Sequence, residues 1–126
     1  TTLCENIQKL MSFDANFNVL LIALDSFYKP LDKTKHKPED YNFDSPDALD
    51  FDMAYNSLKA LLRGEQINIP QYCFVTHNRK PESDRVAPTE VIIFEGILAL
   101  YDRRIRDLMK YKIFINCDGK IFLQHR

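Results

Sequence analysis

Residues 18–29 read Asn-Val-Leu-Leu-Ile-Ala-Leu-Asp-Ser-Phe-Tyr-Lys, a solid apolar run that changes to a carboxylate within one residue. Such a run, bounded by polar residues, is typical of a strand buried on both faces, as in a parallel sheet covered by helices. Asp25 then lies at the carboxyl end of the strand, where open α/β sheets bind their ligands. The pattern predicts that Asp25 acts on a substrate. A capping role for this acid is an equally good interpretation of these residues alone.

Two later stretches repeat this design. Glu90–Glu95 is an apolar run that ends in an acid and is followed by Gly96, and residues 112–116 form a third apolar run. A short helix carrying Ile105 and Leu108 is predicted between them. Three buried strands separated by helices are the pattern of a parallel α/β layer with right-handed crossovers. The predicted fold class is therefore α/β, with a parallel sheet and flanking helices.

Two further helices are predicted from apolar spacing and capping residues. The first runs from Thr1 to about Phe13 and is followed by a turn at residues 14–16. The second begins at Ser45, a hydroxyl N-cap followed by proline and an acid, and Gly64 is placed to end it.

The middle of the chain predicts a loop and a β-hairpin. The proline-containing and lysine-rich residues 30–44 are expected to be an exposed loop. Gln66–Asn78 carries Pro70, which marks an edge strand or hairpin arm. The turn is expected at residues 78–83, with the returning arm at residues 84–88.

Composition limits the classes of protein that fit. The chain has 126 residues, 45% hydrophobic and 28% charged, which suits one globular domain over residues 1–126. A net charge of -1 without a basic stripe argues against a nucleic-acid partner. Neither a membrane span nor a signal peptide is expected. Three separated cysteines, Cys4, Cys73 and Cys117, give no disulfide or zinc spacing, so we expect a reduced cytoplasmic setting.

Five short motifs occur in a fixed order along the chain. They are Leu24-Asp25-Ser26-Phe27-Tyr28, residues 42–48 (Asn-Phe-Asp-Ser-Pro-Asp-Ala), residues 69–80 (Ile-Pro-Gln-Tyr-Cys-Phe-Val-Thr-His-Asn-Arg-Lys), Phe94-Glu95-Gly96-Ile97-Leu98-Ala99 and Arg106-Asp107-Leu108. Together they resemble the uridine kinase, or uridine-cytidine kinase, family over residues 1–118. Several motifs in the same order make the resemblance much more specific than any single motif.

The resemblance implies a P-loop kinase fold that transfers phosphate from ATP to the 5′-hydroxyl of uridine or cytidine, with Mg²⁺ as cofactor. It also implies a homotetramer. By matching motifs, Asp25 would orient the 5′-hydroxyl and accept its proton late in the transfer. Asp44 would hold the two ribose hydroxyls with its two carboxylate oxygens. Capping the helix at Pro46 is the alternative role for Asp44.

The resemblance also assigns the base pocket, which the hairpin would cover. Tyr72 and His77 would read the pyrimidine edge by hydrogen bonding. Phe43, Phe74 and Tyr28 would form its walls, although aromatic residues are more often part of a core. Positions 72 and 77 differ by an odd number, so a straight strand would aim them at opposite faces, and a bend or bulge is predicted between them.

The nucleotide half is less complete in this sequence. The glycine-rich loop G-x-x-x-x-G-K-[ST] does not occur, and Thr1 and Thr2 match the residues that follow its lysine. Thr1 would ligate Mg²⁺, and Glu95 would lie near the ion through water, with a structural role as its alternative. Arg79 and Lys80 are expected to be solvated turn residues.

Two interpretations follow from the missing loop and from the lid region, where Phe122 and His125 replace arginines usual in the family. In the first, the sequence is a piece of a working nucleoside kinase. In the second, it is an inactive kinase-derived module that binds nucleosides or serves as a scaffold. An unprotected sheet edge in a free chain of this length favours the first.

Overall fold

The computed structural model describes residues 2–13, 18–115 and 121–125, which contain both α-helices and β-strands. The helices are α1 (Thr2–Phe13), α2 (Phe51–Leu62) and α3 (Arg103–Leu108). The strands are β1 (Val19–Ala23), β2 (Ile67–Cys73), β3 (Asn78–Val86), β4 (Val91–Glu95), β5 (Tyr111–Ile115) and β6 (Ile121–His125). Within this part of the chain, no helix is long and apolar enough to cross a membrane. The predicted α/β class and the predicted first helix are confirmed.

Strands β1 and β4 form the parallel pair that the two apolar runs predicted. Val19 lies opposite Val91 at one end, and Ala23 lies opposite Glu95 at the other. The expectation of burial on both faces is wrong for most of the pair, because Ile22 alone is buried and the other positions are half-buried. Among the described residues each strand has only the other as a hydrogen-bonded neighbour.

The third apolar run does not join this sheet. Strand β5 pairs antiparallel with β6, so the prediction of a third parallel strand at residues 112–116 is wrong within the described residues. Ile113 and Phe114 are 43% and 54% exposed, which also contradicts the predicted burial. Asp118-Gly119, between the two strands in the sequence, is a dipeptide that favours a hairpin over a crossover.

Helix α2 begins later than predicted. Ser45 caps only a single turn at Pro46–Ala48, and α2 is capped instead by Asp50, whose Oδ1 accepts a hydrogen bond of 3.0 Å from the Met53 amide. The intervening residues are held extended because the Asp50 amide donates to the Phe27 carbonyl at 2.8 Å. The predicted end is confirmed, since Gly64 follows the helix with a φ of +89°.

The predicted hairpin is confirmed, but its turn lies elsewhere. Strands β2 and β3 are antiparallel, and residues 74–77 form the turn, whereas residues 78–83 predicted as the turn belong to β3. His77 allows this early reversal because it adopts a left-handed backbone with a φ of +55°. The register shifts between Pro70 and Tyr72, so the bulge precedes Tyr72, and the predicted bend between positions 72 and 77 is the turn itself.

The residues that follow β1 lie at the centre of the core. We call residues 24–29 the exit segment. Leu24 and Phe27 are 1% and 0% exposed, and the segment packs against both α2 and β2. A hydrogen bond of 2.9 Å from the Lys29 amide to the Ala48 carbonyl ties it to the start of α2. The backbone around Asp25 is therefore fixed by the most buried part of the molecule.

Gly96 lies so close to Leu24 that a larger residue does not fit. An added Cβ would be 2.8 Å from Leu24 Cβ, and Leu24 is too deeply buried to move aside. We expect Gly96→Ala to lower the free energy of unfolding of the complete protein by about 2–3 kcal/mol, measured by urea denaturation. Gly64→Ala is the control, because its Cβ meets nothing within 4 Å and adds only backbone strain of about 1 kcal/mol. Equal losses in the two variants would contradict the contact with Leu24.

Candidate functional site

Two acids lie at the carboxyl edge of the parallel pair, as predicted. Asp25 belongs to a single turn, Leu24–Phe27, whose first and last residues are buried while Asp25 itself is exposed. This is a turn of 3₁₀ helix, which has three residues per revolution, so Leu24 and Phe27 share one face. Asp25 lies on a different face of the turn. Glu95 ends β4 opposite Ala23, so both carboxylates belong to the same edge.

The charges of Asp25 and Asp44 both affect the pKa of the Tyr28 phenol. Burial raises the pKa of Tyr28, and the negative charges of Asp25 and then Asp44 raise it further. Asp44 does not cap a helix, because Ser45 and Asp50 fill the two capping positions. The alternative capping role for Asp44 is therefore wrong. Asp44 is exposed, as Asp25 is, and both carboxylates are close enough to Tyr28 for their charges to raise its pKa.

An aromatic cluster forms beside these acids from Tyr28, Phe43, Tyr72, Phe74 and His77. The Tyr28 ring centroid lies 5.3 Å from that of Tyr72, 5.9 Å from Phe74 and 6.1 Å from Phe43. The rings of Phe43 and His77 stack at 5.0 Å. Edge-to-face and stacked contacts of this kind are favourable arrangements of aromatic rings. The structure thus brings together all five residues predicted to contact the base.

Two buried polar atoms of the aromatic cluster have no hydrogen-bond partner among the described residues. They are the Tyr72 hydroxyl and His77 Nδ1. Tyr72 is 7% exposed, and burial raises its pKa, so its phenol stays protonated and can donate. Leaving a buried polar group unpaired costs about 1–3 kcal/mol, so a ligand that bonds to these atoms gains affinity. Aromatic rings that carry unpaired polar atoms suit a planar heterocycle with a polar edge.

The sequence prediction missed one pair of contacts around the aromatic cluster. Tyr41 packs edge-to-face on Phe43 with centroids 4.9 Å apart, and His36 lies 5.1 Å from Tyr41. The alternation of Tyr41 and Phe43 was the available signal, because residues two apart in an extended loop share a side. These contacts connect the exposed loop to the aromatic cluster.

Arg79 is not the solvated turn residue that the sequence predicted. It lies on β3 opposite Tyr72, is about a quarter exposed, and places Nη2 3.3 Å from Asp50 Oδ2. Because the turn lies at residues 74–77, Arg79 belongs to strand β3 and takes part in the pairing with β2. Lys80 also lies in β3 rather than in the turn.

The predicted metal ligands are Thr1 and Glu95. Thr1 and the Thr2 side chain lie outside the described residues, so their predicted roles stay predictions. Burial raises the pKa of the Cys4 thiol and the Glu95 carboxylate adds to the rise, which places the start of α1 near Glu95. In the part of the chain that the structure describes, no three acidic, cysteine or histidine side chains group as metal ligands.

Cys73, beside the aromatic cluster, has an unusually acidic thiol. Its pKa is lowered to about 7 by hydrogen bonds from the Thr76 hydroxyl and from the Thr76 and Val75 amides, with Lys80 contributing charge. A larger fraction of this thiol is therefore ionised near neutral pH than of an ordinary cysteine, and the thiolate fraction falls as the pH drops. We expect iodoacetamide at pH 7 to alkylate Cys73 faster than Cys4, measured by peptide mass spectrometry. Thr76→Val should slow the alkylation of Cys73. Equal alkylation rates in the variant and the unmodified protein would contradict the assigned effect of the Thr76 hydroxyl on the pKa of Cys73.

Comparison with known proteins supports this arrangement of motifs. The chain is 45% identical over 129 residues to uridine-cytidine kinase A of Dictyostelium discoideum and 41% identical over 127 residues to uridine-cytidine kinase B of the same organism. It is 37% identical over 133 residues to uridine-cytidine kinase 2-B of Danio rerio. These alignments cover 100% of the chain but 24%, 51% and 51% of the relatives, so the chain spans at most about half of their length.

The solved structures agree on the fold. D-glycerate 3-kinase from Cryptococcus neoformans var. grubii superimposes with a TM-score of 0.51 at 19% identity, over 77% of this chain and 39% of that one. At this identity the likeness concerns the fold alone. The profile of the phosphoribulokinase/uridine kinase family matches residues 1–126, the same span over which the acids and aromatic residues occur in order. This chain belongs to the phosphoribulokinase/uridine kinase family.

Proposed function

We propose that the complete protein containing this chain transfers the γ-phosphoryl group of ATP to the 5′-hydroxyl of uridine or cytidine. The observation that carries the proposal is the pair of unpaired buried atoms, the Tyr72 hydroxyl and His77 Nδ1, within the aromatic cluster. The names of the three relatives described above, each a uridine-cytidine kinase, support the same substrate class.

A pyrimidine nucleoside matches the chemistry of the site from one end to the other. The base lies among the aromatic rings, where its polar edge pairs with Tyr72 and His77. Asp44 accepts hydrogen bonds from the ribose hydroxyls, since one carboxylate can accept from both groups of a cis-diol. Tyr28 connects the two regions, because it contacts Tyr72 and feels the charges of both Asp25 and Asp44. The 5′-hydroxyl then lies at Asp25.

Asp25 aligns the acceptor and receives its proton. The nucleoside 5′-oxygen forms a bond to the γ-phosphorus of ATP while the bond from that phosphorus to the β-phosphate oxygen breaks, and ADP leaves. The proton of the 5′-hydroxyl moves to the Asp25 carboxylate. Because a carboxylate is a weak base towards an alcohol, this transfer comes late, and orientation is the larger contribution.

Glu95 serves the nucleotide side of the site. Mg²⁺ would neutralise charge on the ATP phosphates, and Glu95 at the strand edge would hold it through water. Thr1 would supply a direct hydroxyl ligand. The alternative function, an inactive nucleoside-binding or scaffold module, has no observation in its favour, because the named relatives are kinases.

Discrimination between ribose and deoxyribose tests the role of Asp44. We expect the complete protein to phosphorylate 2′-deoxyuridine with a kcat/KM about ten- to a hundredfold below that for uridine, because Asp44 loses one of its two hydroxyl partners. Transfer of labelled phosphate from ATP to each nucleoside measures the ratio.

Asp44→Asn provides the complementary measurement. It should reduce the ratio between uridine and 2′-deoxyuridine by lowering activity on uridine more. Asp47→Asn is a suitable control, because Asp47 is another exposed acid three residues away in the same loop. The assignment of Asp44 fails if its variant discriminates between the two nucleosides as well as the unmodified protein does.

A further inference from the structure

We propose that Asp50 and Arg79 form a positioning pair that fixes the base-contacting hairpin relative to Asp25, an inference that rests on the proposed function. The pair joins Arg79 Nη2 to Asp50 Oδ2 at 3.3 Å, with the two side chains 28% and 31% exposed. Neither residue belongs to the aromatic cluster, and neither is one of the acids assigned to the substrate, Asp25 and Asp44.

Asp50 is anchored to the exit segment by its backbone. Its amide donates to the Phe27 carbonyl at 2.8 Å, and the neighbouring Ala48 carbonyl accepts from the Lys29 amide at 2.9 Å. Its Oδ1 atom meanwhile caps α2 by accepting from the Met53 amide at 3.0 Å. The backbone amide and the carboxylate of Asp50 are thus both hydrogen-bonded. The exit segment, which contains Asp25, fixes the position of Asp50.

Arg79 is anchored to the residues that contact the base. It lies opposite Tyr72 in the β2–β3 ladder and follows His77 by two positions. A hydrogen bond of 3.0 Å from the Leu31 amide to the His77 carbonyl holds the same turn near the end of the exit segment. The contact between Arg79 and Asp50 therefore links the position of the hairpin to the position of the exit segment.

A bound nucleoside must bridge these two parts of the protein, with its base at Tyr72 and its 5′-hydroxyl at Asp25. The distance between them has to match the substrate closely, because a small misalignment of the acceptor slows phosphoryl transfer strongly. Because the two side chains stay 28% and 31% exposed, the ion pair makes at most a modest contribution to overall stability. We infer that its main contribution is to the alignment of the 5′-hydroxyl, which affects kcat more than KM.

The test compares two acid-to-amide changes in the first turn of α2 in the complete protein. Asp50→Asn keeps an N-cap, since asparagine caps as well as aspartate, but removes the charge that holds Arg79. Asp52→Asn is the matched control, because Asp52 pairs with Arg104 at 2.7 Å on the side of α3. We expect Asp50→Asn and Arg79→Gln to lower kcat for uridine about ten- to a hundredfold while KM changes less than about threefold. Asp52→Asn should retain kcat, and Arg79→Lys should recover part of the loss.

Two further measurements separate positioning from a purely structural role. The double variant Asp50→Asn/Arg79→Gln should be no slower than the slower single variant, because both changes remove one contact. The Tm of Asp50→Asn should fall no further than that of Asp52→Asn. Unchanged kcat in both single variants, multiplicative losses, or losses that track Tm would overturn the inference. An unmodified protein that transfers no phosphate to uridine or cytidine would instead overturn the proposed function, and this inference with it.

Discussion

Asp25→Asn is expected to lower phosphate transfer to uridine by about a hundredfold or more, because the amide orients the 5′-hydroxyl more weakly than a carboxylate does and cannot accept its proton. The turn that carries Asp25 is fixed by the buried side chains of Leu24 and Phe27, so the amide takes the place of the acid without disturbing the core. The loss should appear in kcat. Transfer of labelled phosphate from ATP, followed over time with saturating uridine, measures it.

Two controls separate chemistry from binding. Asp32→Asn alters another exposed acid seven residues along, which accepts a hydrogen bond from the Thr34 amide at 3.0 Å, and it should leave kcat unchanged. Uridine affinity of Asp25→Asn, measured by calorimetry, should stay within a few-fold of the unmodified value, because the aromatic cluster is untouched. Equal activity of the Asp25 variant and the unmodified protein would rule out its role as the base.

Phe27→Ala is expected to cost about 3–5 kcal/mol of unfolding free energy. Phe27 is 0% exposed and lies in the exit segment, where its carbonyl also accepts the hydrogen bond from Asp50. Removing the ring leaves a cavity that neighbouring elements cannot fill without moving that backbone. Urea denaturation of the complete protein, followed by circular dichroism, measures the change.

Phe13→Ala is the matched control for this loss. Phe13 ends α1 and is 82% exposed, so deleting its ring removes little buried surface and should change stability by less than about 0.5 kcal/mol. Similar losses at the two positions would mean that the exit segment is not the centre of the core.

The fold could be predicted where hydrophobic pattern and capping chemistry agree. The apolar runs before Asp25 and Glu95 predicted the parallel pair, and Gly64 predicted the end of α2. The start of α2 could not be read from Ser45, because the deciding interaction is a long-range hydrogen bond from Asp50 to Phe27. Local capping signals carry no information about such a partner.

The site was predicted by the resemblance more than by the residues alone. Aromatic residues at positions 28, 43, 72 and 74 are separated in sequence, and only the fold brings their rings together. The hairpin turn was misplaced because Phe74, Val75 and Thr76 have high strand propensity, while polar residues 78–83 do not. The left-handed backbone of His77, which has no reliable signature in a single sequence, decides between the two.

That backbone conformation restricts which residues can replace His77. Its ring stacks on Phe43 and is the one that we propose to contact the base, and its φ of +55° reverses the chain, so a replacement must satisfy both demands. Asparagine, aspartate and glycine adopt this conformation readily, whereas valine, isoleucine and threonine do not. Single substitutions that keep the turn are therefore limited to a small set, in which the side chain is short and polar or, in glycine, missing. Few single substitutions at this position could change the nucleobase that we propose it contacts.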